Sequence, residues 1–192
     1  PRSAEGSLAV LRRHPRLLLL ILLAGWVAIS AWPLLALLPA FAEKVLGLKE
    51  GGYSTMLSAV GVGALLAALT AATFGSEGRQ RRMLFVGLCS VSIALFGLSQ
   101  ARTLLVAAVC CGLFGYGMIL FFATGQGVVQ LGAANEHRGK IMGFWAMMLS
   151  GGAPIGNLFF GPAADQWGVA NIIVVQGFMM TVASIAYLIR RV

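Results

Sequence analysis

Charged residues cut the chain into six uncharged intervals, 17–42, 51–76, 83–101, 103–135, 141–164 and 166–189. A helix needs about 20 apolar residues to cross a bilayer, and the shortest interval, 83–101, holds 19. The alternation of a half-buried strand is absent, and a bilayer admits only helices or closed barrels. The pattern therefore predicts an all-α polytopic membrane protein with six spans, roughly 17–41, 52–74, 83–100, 104–131, 141–163 and 169–189. The longest interval ends in Gly132-Ala133-Ala134-Asn135, which reads as loop. Residues 1–16 are polar and basic and read as a cytoplasmic linker ahead of the bundle at 17–192.

The loops fix an orientation. Six spans place both ends of the chain on one side. That side holds Arg2, Arg12, Arg13, Arg16, Arg79, Arg81, Arg82, Arg138, Lys140, Arg190 and Arg191, against Lys44, Lys49 and Arg102 on the other. An excess of Lys and Arg in short loops marks the cytoplasmic side, so both termini of the segment are expected there. The densest cluster, Glu77-Gly78-Arg79-Gln80-Arg81-Arg82, must lie in water or among headgroups, because each Arg at the bilayer centre costs about 2.5–3.5 kcal/mol.

Composition agrees with the pattern. Of 192 residues, 59% are hydrophobic and 10% charged, where a soluble domain carries about a quarter charged. The net charge of +8 punctuates apolar runs and gathers on no soluble face, so nucleic acid is not an expected partner. Cys89, Cys110 and Cys111 lie inside apolar runs at no metal-ligand spacing and read as small packing residues. No metal or other cofactor is expected. The chain starts at Pro1 with no signal-peptide pattern and reads as a piece of something longer.

Inside the spans, small and helix-breaking residues mark packing. Gly61, Ala64, Ala68 and Ala71 recur at helical spacing in the second span, a strip for close backbone approach. Pro33 in the first span and Pro154 in the fifth predict kinks or breaks. Trp145 and Trp167 sit near span ends and read as interfacial belt residues.

The two halves echo one another at an offset of 88 residues. Gly161 to Gly168, at the end of the fifth span, align with Thr73 to Gln80 after the second. Both copies put an acid, Asp165 or Glu77, four residues after a small residue. An odd number of spans separates them, as in the inverted repeats of secondary transporters.

These residues resemble a known family. Residues 73–82 are similar to the loop motif Gly-x-x-x-Asp-Arg-x-Gly-Arg-Arg of the major facilitator superfamily, with Glu77 at the Asp position and with Arg81 and Arg82, departing at Thr73, Gly78 and Gln80. Ala134-Asn135-Glu136-His137-Arg138-Gly139-Lys140-Ile141-Met142-Gly143 resembles the loop before the fifth helix in many bacterial exporters, without its Pro. Leu11 to Arg16 and Leu38 to Ala42 are similar to the ends of the first helix in the enterobactin-exporter-like efflux permeases. The resemblance implies the C-terminal six-helix half of a transporter with a 3+3 inverted repeat. It also implies a partner in the missing N-terminal half of the same polypeptide, and a bacterial inner (plasma) membrane location.

The resemblance further implies roles. Glu77, Arg81, Arg82, Glu136 and Arg138 would latch a closed state on the cytoplasmic side; the alternative is that the arginines only set topology. The first and fourth helices of a half line the central cavity in the superfamily, which implies that Trp26, Ser30 and Gln126 face it, with Phe122, Gln130 and Asn157 as further candidates. Spacing puts Gly115, Ile119, Phe122, Gln126 and Gln130 on one face of the fourth span. It likewise aligns Gly143, Met147, Ser150, Pro154 and Asn157 on one face of the fifth. For Asn157 and Gln176, hydrogen bonding between helices is the competing reading, and for Trp26 and Trp32 it is packing against lipid.

No Asp, Glu, Lys, Arg or His lies deep in any span. Proton relays need one, so the coupling acid of a proton antiporter would lie outside this segment. No cluster of nucleophile, base and orienting group suggests an enzyme. The expected function is a secondary active transporter, an efflux permease for a hydrophobic or amphipathic solute such as a drug or siderophore. The alternatives are a lysolipid or metabolite carrier of the same fold, or a six-helix scaffold or sensor that transports nothing.

Overall fold

A computed structural model describes residues 15–48, 50–75, 78–133, 135 and 137–190. Seven helices follow one another in that region. They are α1 (Pro15–Ala31), α2 (Leu34–Lys44), α3 (Glu50–Phe74), α4 (Gln80–Ser99), α5 (Leu104–Gly132), α6 (Arg138–Trp167) and α7 (Val169–Arg190). Five stretches are long and apolar enough to cross a membrane: Pro15–Lys44, Gly51–Phe74, Gln80–Ser99, Leu104–Gly132 and Val169–Arg190. Helix α6, at 30 residues, is long enough, but its glycines, prolines and Asn157 dilute its apolar content below theirs.

Sequence chemistry explains where the helices stop. Proline has no N–H, so Pro33 cannot bond the carbonyl of Ile29, and its ring crowds that turn. The helix ends at Ala31 and restarts at Leu34, and the N–H groups of Ala36 and Leu37 then bond the Pro33 carbonyl at 3.1 and 3.2 Å. The expected break at Pro33 is thus present. At Pro154 it is absent, since α6 runs unbroken through both Pro154 and Pro162. Both prolines are exposed, while the buried side of α6, with Trp145, Gly152 and Gly156, stays packed. Thr103 caps α5 by accepting from the Val106 N–H at 3.4 Å. Gly168, at φ +85, turns α6 into α7 within one residue, a conformation a side chain would oppose.

Packing organises the bundle around two helices. Helix α5 carries α3 on one side and α4 on another, whereas α1 is joined mainly to α6 and then to α7; α4 also packs along α7. The crossings depend on glycine. Gly63 lies so close to α5 that a Cβ would meet the Gly112 carbonyl and come within 2.9 Å of the Tyr116 nitrogen. Gly156 stands against Ile29 and Pro33, so α6 presses on the very carbonyl that Pro33 leaves without its helical donor.

Helix α3 corrects the expected small-residue strip. Its buried positions are Gly52, Met56, Gly63 and Ala67; of the expected strip, Ala64 and Ala71 are half-buried, while Gly61 and Ala68 are exposed and a Cβ on Gly61 would meet nothing within 4 Å. Period alone allowed either register, and the α5 backbone chose the one containing Gly63.

Candidate functional site

The candidate residues divide by burial. Ser30 is wholly buried in α1, and its hydroxyl has no hydrogen-bond partner among the described residues. Trp26, one turn earlier, is 42% exposed, and its indole N–H donates to the Met179 carbonyl of α7 at 3.1 Å. Trp26 therefore ties α1 to α7, while Ser30, one turn further along nearly the same face, is enclosed by the bundle. Gln126, Gln130 and Asn157 are exposed.

Phe122 belongs to an aromatic cluster at the junction of α1, α5 and α6. Its ring centroid lies 5.5 Å from Trp32, 5.4 Å from Phe121 and 6.3 Å from Trp145. Tilted and edge-on arrangements at such distances favour the rings' quadrupoles. Trp145 is 2% exposed and packs over Gly125 of α5, where a Cβ would strike its ring. Trp145 is thus an interior residue, contrary to the interfacial reading. Its position near a span end gave no sign of that, because the glycine that receives it is on another helix. Trp167, 66% exposed at the end of α6, agrees with a place at a span end.

The proposed face of α5 does not stay on one side of the bundle. Gly115 stands against Val60 of α3, Ile119 packs near Ala67 and Met83, Phe122 turns toward α1 and α6, and only Gln126 and Gln130 emerge. The face of α6 does hold together. Gly143, Met147, Ser150, Pro154 and Asn157 are all exposed along one stripe. Its chemistry contrasts with the exposed side of α7, which shows Val175, Phe178, Val182, Ile185, Leu188 and Ile189. The α6 stripe mixes glycine, serine, proline and asparagine with Met147, and Ile155, Leu158 and Phe159 are exposed elsewhere on the same helix, whereas the exposed side of α7 is uniformly what lipid tails accept.

Sequence reasoning named Gln176, for hydrogen bonding between helices, but did not single out Ser92, Thr124 or Thr181 in the interior. Gln176 is fully buried with neither amide atom paired, and Thr124 Oγ1 and Trp145 Nε1 are also buried without partners among the described residues. Ser92 and Thr181 share a proton at 2.6 Å, joining α4 to α7. These pairings depend on which helices are neighbours, which a single sequence does not state.

Of the latch candidates, Glu77 and Glu136 lie outside the described residues. Arg81 and Arg82 are exposed at the start of α4, and the Tyr187 hydroxyl donates to the Arg81 carbonyl at 3.3 Å. Arg138 opens α6 with its Nε buried and unpaired among the described residues. At the opposite end of the bundle, Lys44 and Asp165 form an ion pair at 3.5 Å between the ends of α2 and α6. Both partners are largely exposed, 59% and 78%, and exposed pairs contribute little. Lys44→Ala is expected to leave the thermal unfolding midpoint within about 2 °C of the parent. A larger drop would show that the pair holds the helix ends together.

The bundle, its lipid-compatible flank and its long apolar helices define a polytopic α-helical membrane protein. A family model described as Major Facilitator Superfamily matches residues 1–156, and the chain belongs to that family. It is a membrane transporter, with the bilayer and a small-molecule substrate as its partners. A search of curated proteins gave no significant match.

Proposed function

We propose that this chain is one six-helix half of a secondary transporter, built from a 3+3 inverted repeat. The half would export a hydrophobic or amphipathic solute by alternating access, with its termini cytoplasmic in a bacterial inner membrane. The observation that carries this reading is the exposed line of Gly143, Ser150, Pro154 and Asn157 on α6, set against the uniformly apolar flank of α7. A stripe such as Gly143, Met147, Ser150 and Asn157 gains nothing from lipid, and it suits a second bundle and a solute path between the two. In this reading α6 crosses the membrane as the fifth of six spans, its modest hydropathy reflecting a face that meets protein and water.

The close helix crossings support the repeat. Adding the 88-residue offset carries Gly63 of α3 to Gly151 of α6, and subtracting it carries Tyr116 of α5 to Ala28 of α1. One residue from that expectation, Gly152 stands against Ala28. Gly115 against Val60 has its counterpart in Gly25 against Met148, with Met148 at the offset from Val60 and Gly25 two residues from the offset of Gly115. The pairing of α3 with α5 thus corresponds to the pairing of α6 with α1, with the helix order reversed.

Gln126, Gln130 and Asn157 are exposed hydrogen-bonding groups on uncharged helix stretches, which favours an amphipathic solute over a polyanion. The test is export of a lipophilic fluorescent dye from cells making the protein. Parent protein is expected to lower dye accumulation, and Gln126→Leu with Asn157→Leu to reduce the export rate about tenfold at equal membrane abundance, the equivalent of one or two lost hydrogen bonds. Undiminished export by the double variant would place the solute path elsewhere.

A further inference from the structure

Tyr187 marks a crowded end of the bundle. Its side chain is 3% exposed, and recesses open around it on three sides. One of about 430 Å³ lies between α4 and α7, headed by Arg81 and Arg82 and floored by Phe85, Val86 and Leu188. A second, of about 240 Å³, shares Phe85 and Leu188 with it and continues between the same helices to Ser92, Ile93 and Thr181. Together they make one groove. From Arg82 to Ile93 it runs eleven residues of helix, about 16 Å, and one leaflet of a bilayer's hydrocarbon core is about 15 Å deep. On the other side of Tyr187, α1 and α7 enclose a recess of about 270 Å³ that has Arg190 at its mouth and Leu19, Leu22 and Leu23 along its wall.

The mouths of these grooves are electrostatically unfinished. Among the described residues, the side chains of Arg16, Arg81, Arg82 and Arg190 make no ion pair or hydrogen bond. The first turn of α4 carries Arg81 and Arg82 and no acid, so two cations sit at the end of the helix whose dipole is already positive. In sequence the loop holds Arg79, Arg81 and Arg82 against the single acid Glu77. An anion at this point is favoured by the helix terminus and by the guanidiniums together.

We propose that the end of the bundle around Tyr187 binds an anionic phospholipid of the adjacent leaflet. Its phosphate sits against Arg81 and Arg82, and one acyl chain lies in the groove between α4 and α7. Arg190 and the α1–α7 recess accept the second chain and steady the headgroup from the other side. The apolar groove alone would take any lipid; the unpaired arginines select the charge. This assignment is independent of the solute the protein carries.

The test uses the purified protein in detergent with added phosphatidylglycerol or phosphatidylcholine of identical chains, and retained lipid is counted by native mass spectrometry. Phosphatidylglycerol is expected to be retained in preference. Each arginine facing an anionic headgroup contributes about a fivefold factor, so Arg81→Gln with Arg82→Gln should cut its occupancy about 25-fold and lower that of phosphatidylcholine, whose choline offsets the phosphate charge, by much less. Ile93→Trp, which fills the groove from its exposed side, should reduce retention of both lipids, and Arg102→Gln should reduce neither. Equal retention of the two lipids by the parent would overturn the proposal. So would undiminished binding to Ile93→Trp, which decides the matter even if the double arginine variant fails to fold. Displacement by glycerol phosphate as effective as by intact lipid would also overturn it, because the site would then read phosphate without the chain.

Discussion

A single methyl group at Gly63 is expected to unseat α3, while the same methyl two residues earlier changes nothing. In an ordinary helix, Gly→Ala is favourable by nearly 1 kcal/mol. At Gly63 the sign reverses, because the new Cβ would strike the backbone of α5 at Gly112 and Tyr116, which cannot rotate away as a side chain could. Overpacking costs about 1–3 kcal/mol where side chains can adjust, and this position lies at the upper end. Helix α3 has few alternatives, since it is mostly exposed and α5 is its principal partner. Gly63→Ala should therefore lower the thermal midpoint by about 5–10 °C and reduce the monodisperse yield. Gly61→Ala, which meets open space, should stay within about 2 °C. Equal behaviour of the two variants would mean that α3 does not cross α5 at Gly63.

The second large effect is a gain. Gln176 is fully buried in α7, and neither its amide nitrogen nor its oxygen has a partner among the described residues. A buried polar group without a partner costs about 1–3 kcal/mol, whereas an apolar side chain of similar size in its place carries no such penalty. Gln176→Leu is expected to raise the thermal midpoint by about 2–8 °C. If transport stays intact, the glutamine is a burden of packing history. A midpoint that falls would show that the amide is satisfied by something bound to the bundle, and the account of the α7 interior would need revision.

Much of the fold could be read from the chain, because the bilayer makes charge placement decisive. Arg82, Arg102 and Lys140 bound apolar runs, and α4, α5 and α6 begin or end within a few residues of them. Pro33 announced its break through the missing N–H. What escaped were relations between helices. The strip read on α3 began at Gly61, whereas the buried glycine is Gly63, and its burial depends on Gly112 and Tyr116 of α5, more than 40 positions away. Trp145 looked interfacial because depth was judged along α6 alone; Gly125 on α5 makes it a core residue. The candidate site was legible in part for the same reason. The stripe of α6 follows from helical period and is exposed as a unit, whereas the face drawn on α5 is divided among α3, α1 and the surface, since a 29-residue helix contacts different neighbours along its length. Ser30 and Gln176 looked alike as isolated polar residues in apolar runs, and their complete burial comes from the packing of helices that a single sequence does not state.

The central claim is that the exposed stripe of α6 and the glutamines of α5 border a path opened alternately to either side of the membrane. Its most direct measurement places a single cysteine at Gln126 or Ser150 of the protein, with Cys89, Cys110 and Cys111 replaced, and labels it with a membrane-impermeant maleimide from one side at a time. Alternating access predicts that each position reacts from both sides, and that adding a transported solute shifts the two rates in opposite directions. Labelling from one side only, at rates indifferent to every solute tried, would contradict it and return the bundle to the role of a scaffold.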